Sequence, residues 1–291
     1  MVMRPKKSRF AQGLWLLWRL KLAVGAGVIL LAIVVGAIFA PYLAPHDPLA
    51  TDITLRLKPP SWMAGGNPDY LLGTDQVGRD ILSRIIFGGR VSLLVGSLAV
   101  LLSAIIGIPL GLAAGYGEHV TDAVISTLVN IMLTFPFVLL ALAVIAVLGP
   151  SFTNMIIVLG ITNWPLYTRV VRAEVLRLKG MEFVMAARAL GMGQMRLIAK
   201  QLFPNLLSAV VVISSVLVAR MIILESFLSF LGLGIQPPTP SWGGMLGEGK
   251  DYMLLRWWLA TFPGLAIFIT TLLINLVGDG LRDWLDPALK V

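Results

Sequence analysis

The segment 244–251 carries the residue pattern with the clearest chemical meaning in this chain. It reads Gly-Met-Leu-Gly-Glu-Gly-Lys-Asp and nearly matches the phosphate-binding loop pattern G-x-x-x-x-G-K-[ST]. The match fails at Asp251, because a carboxylate repels phosphate and offers no hydroxyl to magnesium. No strand pattern precedes the segment, as that motif requires. We therefore reject a nucleotide site here, and any ATP and Mg that the protein uses would be bound by another chain.

Other catalytic patterns are also missing from the sequence. The chain has no cysteine, which excludes disulfides, thiolate metal ligands and cysteine nucleophiles. Its two histidines, His46 and His119, lie in predicted loops on opposite sides of a membrane and cannot form a pair. The long apolar segments that are predicted to span a membrane contain serine but no aspartate or histidine. The sequence thus predicts no catalytic residue, no metal or cofactor site, and no enzyme.

Two charged residues, Arg220 and Glu225, lie inside an otherwise apolar run. Charges inside a membrane are costly, so such residues are functional candidates. Five residues separate them, which places them about 140° apart around a helix. We therefore expect each to face a different neighbour or a polar cavity. The alternative, that Arg220 reaches the lipid headgroups, is less favoured because it lies about fifteen residues from Asn205 at the inner end of the span.

The composition defines the elements that hold these residues. Of 291 residues, 57% are hydrophobic and 13% are charged, and the mean hydropathy is +0.88. So few charges do not cover the surface of a soluble protein, so we predict an all-α polytopic membrane protein. Because a span needs about 20 apolar residues, six transmembrane helices are predicted. They cover residues 22–44, 91–117, 123–148, 153–168, 206–232 and 257–278, and the Gly149-Pro150-Ser151 break divides the third span from the fourth.

The first apolar run raises the question of a signal peptide. It exceeds the 7–15 residues of a signal-peptide core, and no small-residue cleavage site follows it. We expect it to be retained as the first transmembrane helix, between a short N-terminal segment, 1–21, and an outer loop, 45–90.

Lysine and arginine are concentrated on one side of the predicted membrane. With the N-terminus inside, the inner segments hold 15 Lys and Arg against 7 acidic residues, and the outer segments hold 7 of each. The inner segments are 1–21, 118–122, 169–205 and 279–291. This is the positive-inside pattern, so both termini are expected to be cytoplasmic. The net charge of +8 then needs no nucleic acid partner.

The two outer loops have recognisable features. In residues 79–90, Ile81, Leu82, Ile85 and Ile86 alternate with polar side chains, which predicts an amphipathic helix at the interface leading into the second span. An ordinary surface helix is the alternative. The proline-rich segment 233–256 predicts a rigid turn, with Trp242 as an interfacial anchor.

The inner loop 169–205 resembles a docking surface more than a solvated basic loop, the alternative interpretation. Ala186 and Ala187 favour a helix that starts near Glu182, and Gly191 is a natural helix stop. A second helical run is expected to end before Pro204. Small side chains let the backbone of another protein approach closely.

Three glycines in the second span, Gly107, Gly111 and Gly115, are spaced four residues apart. Such a stripe permits close packing against another transmembrane helix. Glycine that is merely tolerated in a membrane helix is the alternative interpretation.

Four motifs together carry a family resemblance over nearly the whole chain. They are Leu72–Arg84, Glu182–Asn205, Leu228–Gly243 and Phe262–Pro287. With them the sequence resembles the inner-membrane permease subunits of bacterial ABC importers for dipeptides, oligopeptides and related solutes such as nickel, and among these the dipeptide C-type subunit. The resemblance implies a MetI-like type I importer fold, with residues 91–291 as the permease domain and 45–90 as a periplasmic loop.

The resemblance also implies partners and roles for residues. The partners are a second homologous permease, two ATP-binding subunits that hydrolyse ATP, and an external solute-binding protein, and transport would proceed by alternating access across the inner membrane. The inner loop would couple to the ATPase through Glu182, Ala186, Ala187, Gly191 and Pro204. Arg220 and Glu225 would belong to the translocation pathway.

This sequence departs from the family pattern at two places. Met185 stands where the family has glutamate, and Phe203 replaces a leucine. Nickel, glutathione or opines remain alternative solutes to peptides. A membrane assembly protein without transport activity is a second alternative, and a transporter acting alone is a third, although we find no inverted repeat of the kind that such transporters carry.

Overall fold

The computed structural model describes residues 9–285, with side chains from Lys21 onward. Part of the predicted N-terminal segment, residues 1–8, and the end of the last motif, including Pro287, lie outside the described residues. Within the described range the regular structure is helical, apart from one isolated bridge between Thr74 and Asp80.

Most helices follow one another with short connections, and a long connection, 44–80, joins α2 to α3. The α-helices are α1 (Arg9–Ile38), α2 (Ala40–Leu43), α3 (Ile81–Tyr116), α4 (His119–Thr134), α5 (Phe137–Leu148), α6 (Phe152–Lys179), α7 (Glu182–Ala189), α8 (Gln194–Leu197), α9 (Phe203–Phe230), α10 (Trp242–Gly249) and α11 (Trp258–Leu285). Short 3₁₀ turns cover Ile53–Leu55 and Lys250–Tyr252, and a π-helical turn covers Ile198–Leu202.

The predicted all-α polytopic fold is confirmed. Four helical runs are long and apolar enough to cross a membrane: part of α1, α3, the continuous run Gln194–Phe230, and α11. The pair α4 and α5 counts as a fifth span, broken by a bend of 85°. The fourth predicted span, 153–168, falls in α6, which does not meet the same criterion in the described chain because polar residues such as Asn154, Thr162 and Asn163 interrupt it.

The third predicted span, 123–148, is divided between two helices, α4 and α5. Phe135 is extended, with φ −75° and ψ 127°, and Pro136 follows it. A residue before proline is driven out of the helical region, and proline donates no amide hydrogen. The apolar run therefore breaks at these two residues.

The helix predicted within 79–90 is present, but it is the first part of the long helix α3 and its first turns are buried. Residues Ile81–Tyr116 form one helix, and Ile81, Ser83 and Arg84 in its first turns are at most 2% exposed. Asp80 caps the helix by accepting a hydrogen bond from the Ser83 amide, 2.9 Å long. At 36 residues, α3 is about 54 Å long and exceeds the ~30 Å hydrocarbon core. Its outer end is therefore covered by the outer loop and α10.

The glycine stripe of α3 packs against α6 of the same chain. A Cβ at Gly111 would lie 2.6 Å from Cβ of Val171, and one at Gly115 would lie 2.7 Å from Cβ of Val175. The Thr168 hydroxyl donates to the Gly107 carbonyl over 3.1 Å. The predicted close helix contact is thus present, and it joins two helices of this chain.

Candidate coupling surface and translocation face

Helix α7 ends where the sequence predicts. Gly191 has φ +79°, a conformation that other residues adopt at a cost. Its amide donates to the Arg188 carbonyl over 3.0 Å, and the Met192 amide donates to the Ala187 carbonyl over 3.1 Å. These two bonds define a Schellman motif, which fixes the direction in which the chain leaves α7.

The residues predicted to couple to an ATPase do not all lie on one surface. Glu182, Ala186, Gly191 and Pro204 are exposed. Ala187 is buried, and it packs with Val184 in a cluster that holds α7 to the rest of the chain. The expectation that Ala187 offers its side chain to a partner therefore needs correction, because 100° per residue turns it inward when Ala186 faces out.

Large apolar side chains surround Ala186 on the exposed side. Leu190 is 89% exposed and Met195 is 81% exposed. With Phe183 and Met185, which are also exposed, these residues form what we call the coupling surface. Sequence reasoning named the small residues and missed Leu190 and Met195, although the spacing of Phe183, Ala186 and Leu190 is that of one helix face.

The coupling surface is attached to the inner end of α3. The ammonium of Lys179 donates to the Gly115 carbonyl over 3.1 Å and lies 5.3 Å from the centre of the Tyr116 ring. The guanidinium of Arg188, on α7, lies 5.8 Å from the same ring. Two cations on one aromatic ring link α7, α6 and α3.

Pro204 does not end the second helical run, contrary to the prediction. The run Gln194–Phe230 is continuous, and the π-helical turn Ile198–Leu202 precedes Pro204. Proline lacks the amide hydrogen and clashes with the carbonyl four residues earlier. A wider π turn at this point accommodates the ring without breaking the helix.

Glu225 is fully buried inside the chain and does not lie on an exposed face. The Ser229 hydroxyl donates to Oε1 over 2.8 Å, and the hydroxyls of Ser92 and Ser226 lie 3.4 Å from Oε2. Ser92 also accepts a hydrogen bond from the Trp242 amide over 3.2 Å. Glu225 thus ties α9 to α3 and α10, and the hydroxyls replace water around it.

Arg220, unlike Glu225, lies on the surface of the chain. It is exposed, and it makes no hydrogen bond or ion pair with any residue that the structure describes. Val216, Ile223 and Phe227 are exposed on the same face of α9, at intervals of three and four residues. We call these four residues the translocation face. Sequence reasoning found its charge and missed its apolar members.

A buried charge network joins the outer loop to α10. Arg84 Nη1 donates to Asp75 Oδ2 over 2.5 Å and to Glu248 Oε2 over 2.8 Å. Arg79 contacts the same two carboxylates at 2.6 and 2.7 Å. Burial raises the pKa of Glu248, but Arg84 and Arg79 outweigh burial and hold that pKa below its usual value.

The segment that resembles a phosphate-binding loop is helical. Its residues occupy the end of α10 and the following 3₁₀ turn, and the ammonium of Lys250 lies 5.7 Å from the centre of the Phe230 ring. His46 and His119 lie beyond opposite ends of α3. Among the described residues, no group of three His, Asp or Glu side chains is arranged to hold a metal ion.

This architecture defines a class of protein: a polytopic helical membrane protein with exposed apolar side chains on a short helix at one end of its bundle. Comparison with known families is specific. Residues 107–291 match the model of the binding-protein-dependent transport system inner membrane component, and residues 8–60 match the N-terminal transmembrane domain of oligopeptide transport permease C. The chain belongs to this family of inner membrane permease components.

Individual relatives agree with the family assignment. The di/tripeptide transport system permease protein DppC of Pseudomonas aeruginosa is 45% identical over 92% of this chain and 88% of its own length. The dipeptide transport system permease protein DppC of Haemophilus influenzae is 43% identical over 90% and 89%. Among solved structures, the inward-facing MetNI methionine ABC transporter matches with a TM-score of 0.59, 18% identity, and coverage of 70% of this chain and 96% of that one. That likeness supports the MetI-like fold.

Proposed function

We propose that this chain is a translocating permease subunit of an ATP-driven importer for dipeptides or oligopeptides. The observation that carries the proposal is the coupling surface, an exposed apolar patch on a helix that is fixed to the inner ends of α3 and α6. The relatives are named as permeases for di/tripeptides and for dipeptides, and these names support peptides as the solute. Nickel, glutathione or opines are the alternative solutes.

ATP would be hydrolysed on two separate ATP-binding subunits. One of them would contact the coupling surface, and a second homologous permease would face the translocation face. A periplasmic or lipid-anchored binding protein would deliver the solute. Binding of ATP would move the coupling surfaces and convert the permease pair from inward-facing to outward-facing, and Mg would be held with ATP on the partner subunits.

Both termini would lie in the cytoplasm. The excess of Lys and Arg on the segments that include the coupling surface supports this orientation. A cysteine at Gly193, where a side chain meets nothing within 4 Å, is expected to escape a membrane-impermeant thiol reagent in intact cells. A cysteine at the exposed Thr51 is expected to react. The reverse labelling would refute the orientation.

Uptake and ATPase association test the function together. The complex is reconstituted in liposomes, and ATP-dependent uptake of a labelled dipeptide is measured with its binding protein present. Leu190→Asp, on the coupling surface, is expected to abolish uptake and co-purification of the ATPase subunits. Leu254→Asp, at a side chain that is 99% exposed on the far side of the bundle, is the control and is expected to leave both unchanged. Full uptake by Leu190→Asp would contradict the coupling role.

A further inference from the structure

An apolar groove lies between α1, α3 and α11, and α10 closes it. Its volume is about 290 Å³, and its walls include Ile33, Ala37, Ile85, Gly89 and Trp242. The Trp242 ring is fixed by a 2.9 Å hydrogen bond from Nε1 to the Ile85 carbonyl. The groove belongs to neither the coupling surface nor the translocation face.

One polar group in the groove has no partner. Thr270 lines the groove and is 1% exposed, and its hydroxyl makes no hydrogen bond in the structure. A buried hydroxyl without a partner is destabilising. A bound molecule that brings an acceptor oxygen to Thr270 would satisfy it.

The groove lies at the boundary of the bilayer. A Cβ placed on Gly27 of α1 would lie 3.8 Å from Val277 of α11, and one placed on Gly280 of α11 would overlap Ala23 of α1. The two helices therefore run antiparallel, and Thr270 lies opposite the last turns of α1. Gly89 of α3 is level with Ala37 in the last turn of α1, with 3.6 Å between them when a Cβ is placed on the glycine. Around the groove, Val35 and Ile38 are exposed apolar residues of a membrane-crossing helix. A lipid acyl chain therefore matches this surface in its chemistry.

The cationic side chain of Arg90 lies beside the groove. Arg90 follows Gly89 and lies one helical turn from Ile86, which also lines the groove. It is exposed, and no residue in the described range pairs with it. Side chains on a helix lean toward its N-terminus, so Arg90 leans toward the outer end of α3, where headgroups lie.

We propose that the groove is a binding site for one phospholipid of the surrounding bilayer. One acyl chain fills the apolar groove, an ester carbonyl accepts the Thr270 hydrogen, and the phosphate pairs with Arg90. The three chemical parts of a phospholipid thus meet an apolar wall, a hydroxyl donor and a cation in one place. The site does not depend on which solute is transported.

Two glycines of α1 give a matched test. Gly36 lines the groove and Gly25 lies outside it, and a Cβ at either position meets nothing within 4 Å. The full-length chain, with the subunits that co-purify, is analysed by native mass spectrometry in detergent with added phosphatidylglycerol. Gly36→Leu is expected to reduce the fraction that retains one lipid at least fivefold. Gly25→Leu is expected to retain lipid as the wild type does.

The headgroup contact is tested separately. Arg90→Gln is expected to raise the phosphatidylglycerol concentration needed for half-saturation about fivefold, and Arg56→Gln, in the exposed outer loop, serves as its control. Equal lipid retention by both glycine variants would overturn the proposal. Loss of a co-purifying permease from Gly36→Leu, with lipid retention unchanged, would overturn it too and identify a protein occupant. Dipeptide uptake is measured alongside lipid retention, and Gly25→Leu is expected to leave uptake unchanged. A failure of the lipid proposal is thereby distinguished from a failure of the proposed transport function.

Discussion

At the scale of single residues, Arg220 and Glu225 show how two charges in one helix acquire different environments. Glu225 is enclosed by serine hydroxyls of two helices, α9 and α3, and Arg220 faces outward among apolar side chains. A guanidinium at membrane depth costs about 2.5–3.5 kcal/mol on insertion scales. Such a cost is offset where the residue meets water, solute or an acidic partner, and the proposed pore would place Arg220 in such a position.

We predict that Arg220→Ala impairs transport and leaves assembly intact. Dipeptide uptake is expected to fall about tenfold, the effect of losing roughly 1.4 kcal/mol of interaction along the pathway. Arg220→Lys, which keeps the charge, is expected to be milder. Uptake in liposomes and co-purification of the subunits are the two measurements. Full uptake by the alanine variant would show that Arg220 is a tolerated surface charge.

At the scale of elements, the short helix α7 depends on its C-terminal turn. Gly191 has φ +79°, whereas Gly193, two residues later, has φ −64°. A Cβ at either position meets nothing within 4 Å, so the two glycines differ in backbone conformation and not in space. A β-branched residue in the left-handed conformation costs about 1–2 kcal/mol.

Gly191→Val is therefore expected to disturb the coupling surface, and Gly193→Val is expected to be tolerated. The measurement is capture of the ATPase subunits by the tagged permease, with membrane insertion checked by fractionation. We expect about tenfold weaker capture with the first variant, because the strain redirects the chain after α7. Equal capture by both would mean that the Schellman turn does not position the surface.

At the scale of the whole molecule, the charge network of Asp75, Arg79, Arg84 and Glu248 holds the outer loop, α3 and α10 as one unit. Glu248 lies 164 residues from Arg84 in the sequence. Its pKa is lower in the folded chain than in the unfolded chain, because two guanidinium groups outweigh the effect of burial. Its contribution to stability is thus complete above the usual carboxyl pKa of 4.5 and is lost as pH falls through the lower folded value.

We predict that Glu248→Gln lowers the apparent unfolding temperature at pH 7 by about 6–12 °C, since removal of one charge from a buried pair costs about 3 kcal/mol. The difference between wild type and variant is expected to shrink as pH falls below about 4.5. Thermal unfolding in detergent at several pH values measures both. Glu118→Gln, at the other end of α3, is the control. A difference that is constant with pH would exclude Glu248 as the titrating group.

The structural features that depend on local sequence alone were predictable. The stop at Gly191 depends on residues within one turn, and the stripe Gly107, Gly111 and Gly115 depends on helix periodicity alone. The bend at Pro136 was missed because the span was predicted from the hydropathy of its side chains. Hydropathy takes no account of the backbone amide hydrogen that proline lacks. The inward turn of Ala187 and the Arg84–Glu248 pair depend on which elements meet in space, and no local pattern contains that information.

The unbroken helix through Pro204 has a mechanical consequence. The π turn Ile198–Leu202 interrupts the regular α-helical hydrogen bonding of a continuous helical run that has α8 at one end and the last turns of α9 at the other. Arg220 lies 18 residues beyond Leu202, about 27 Å along the axis. A tilt of α9 about the π turn displaces Arg220 by about 0.5 Å per degree. On the other side of the turn, Gln194 lies eight residues before Leu202, about 12 Å along the axis, so a tilt that moves Gln194 moves Arg220 about twice as far.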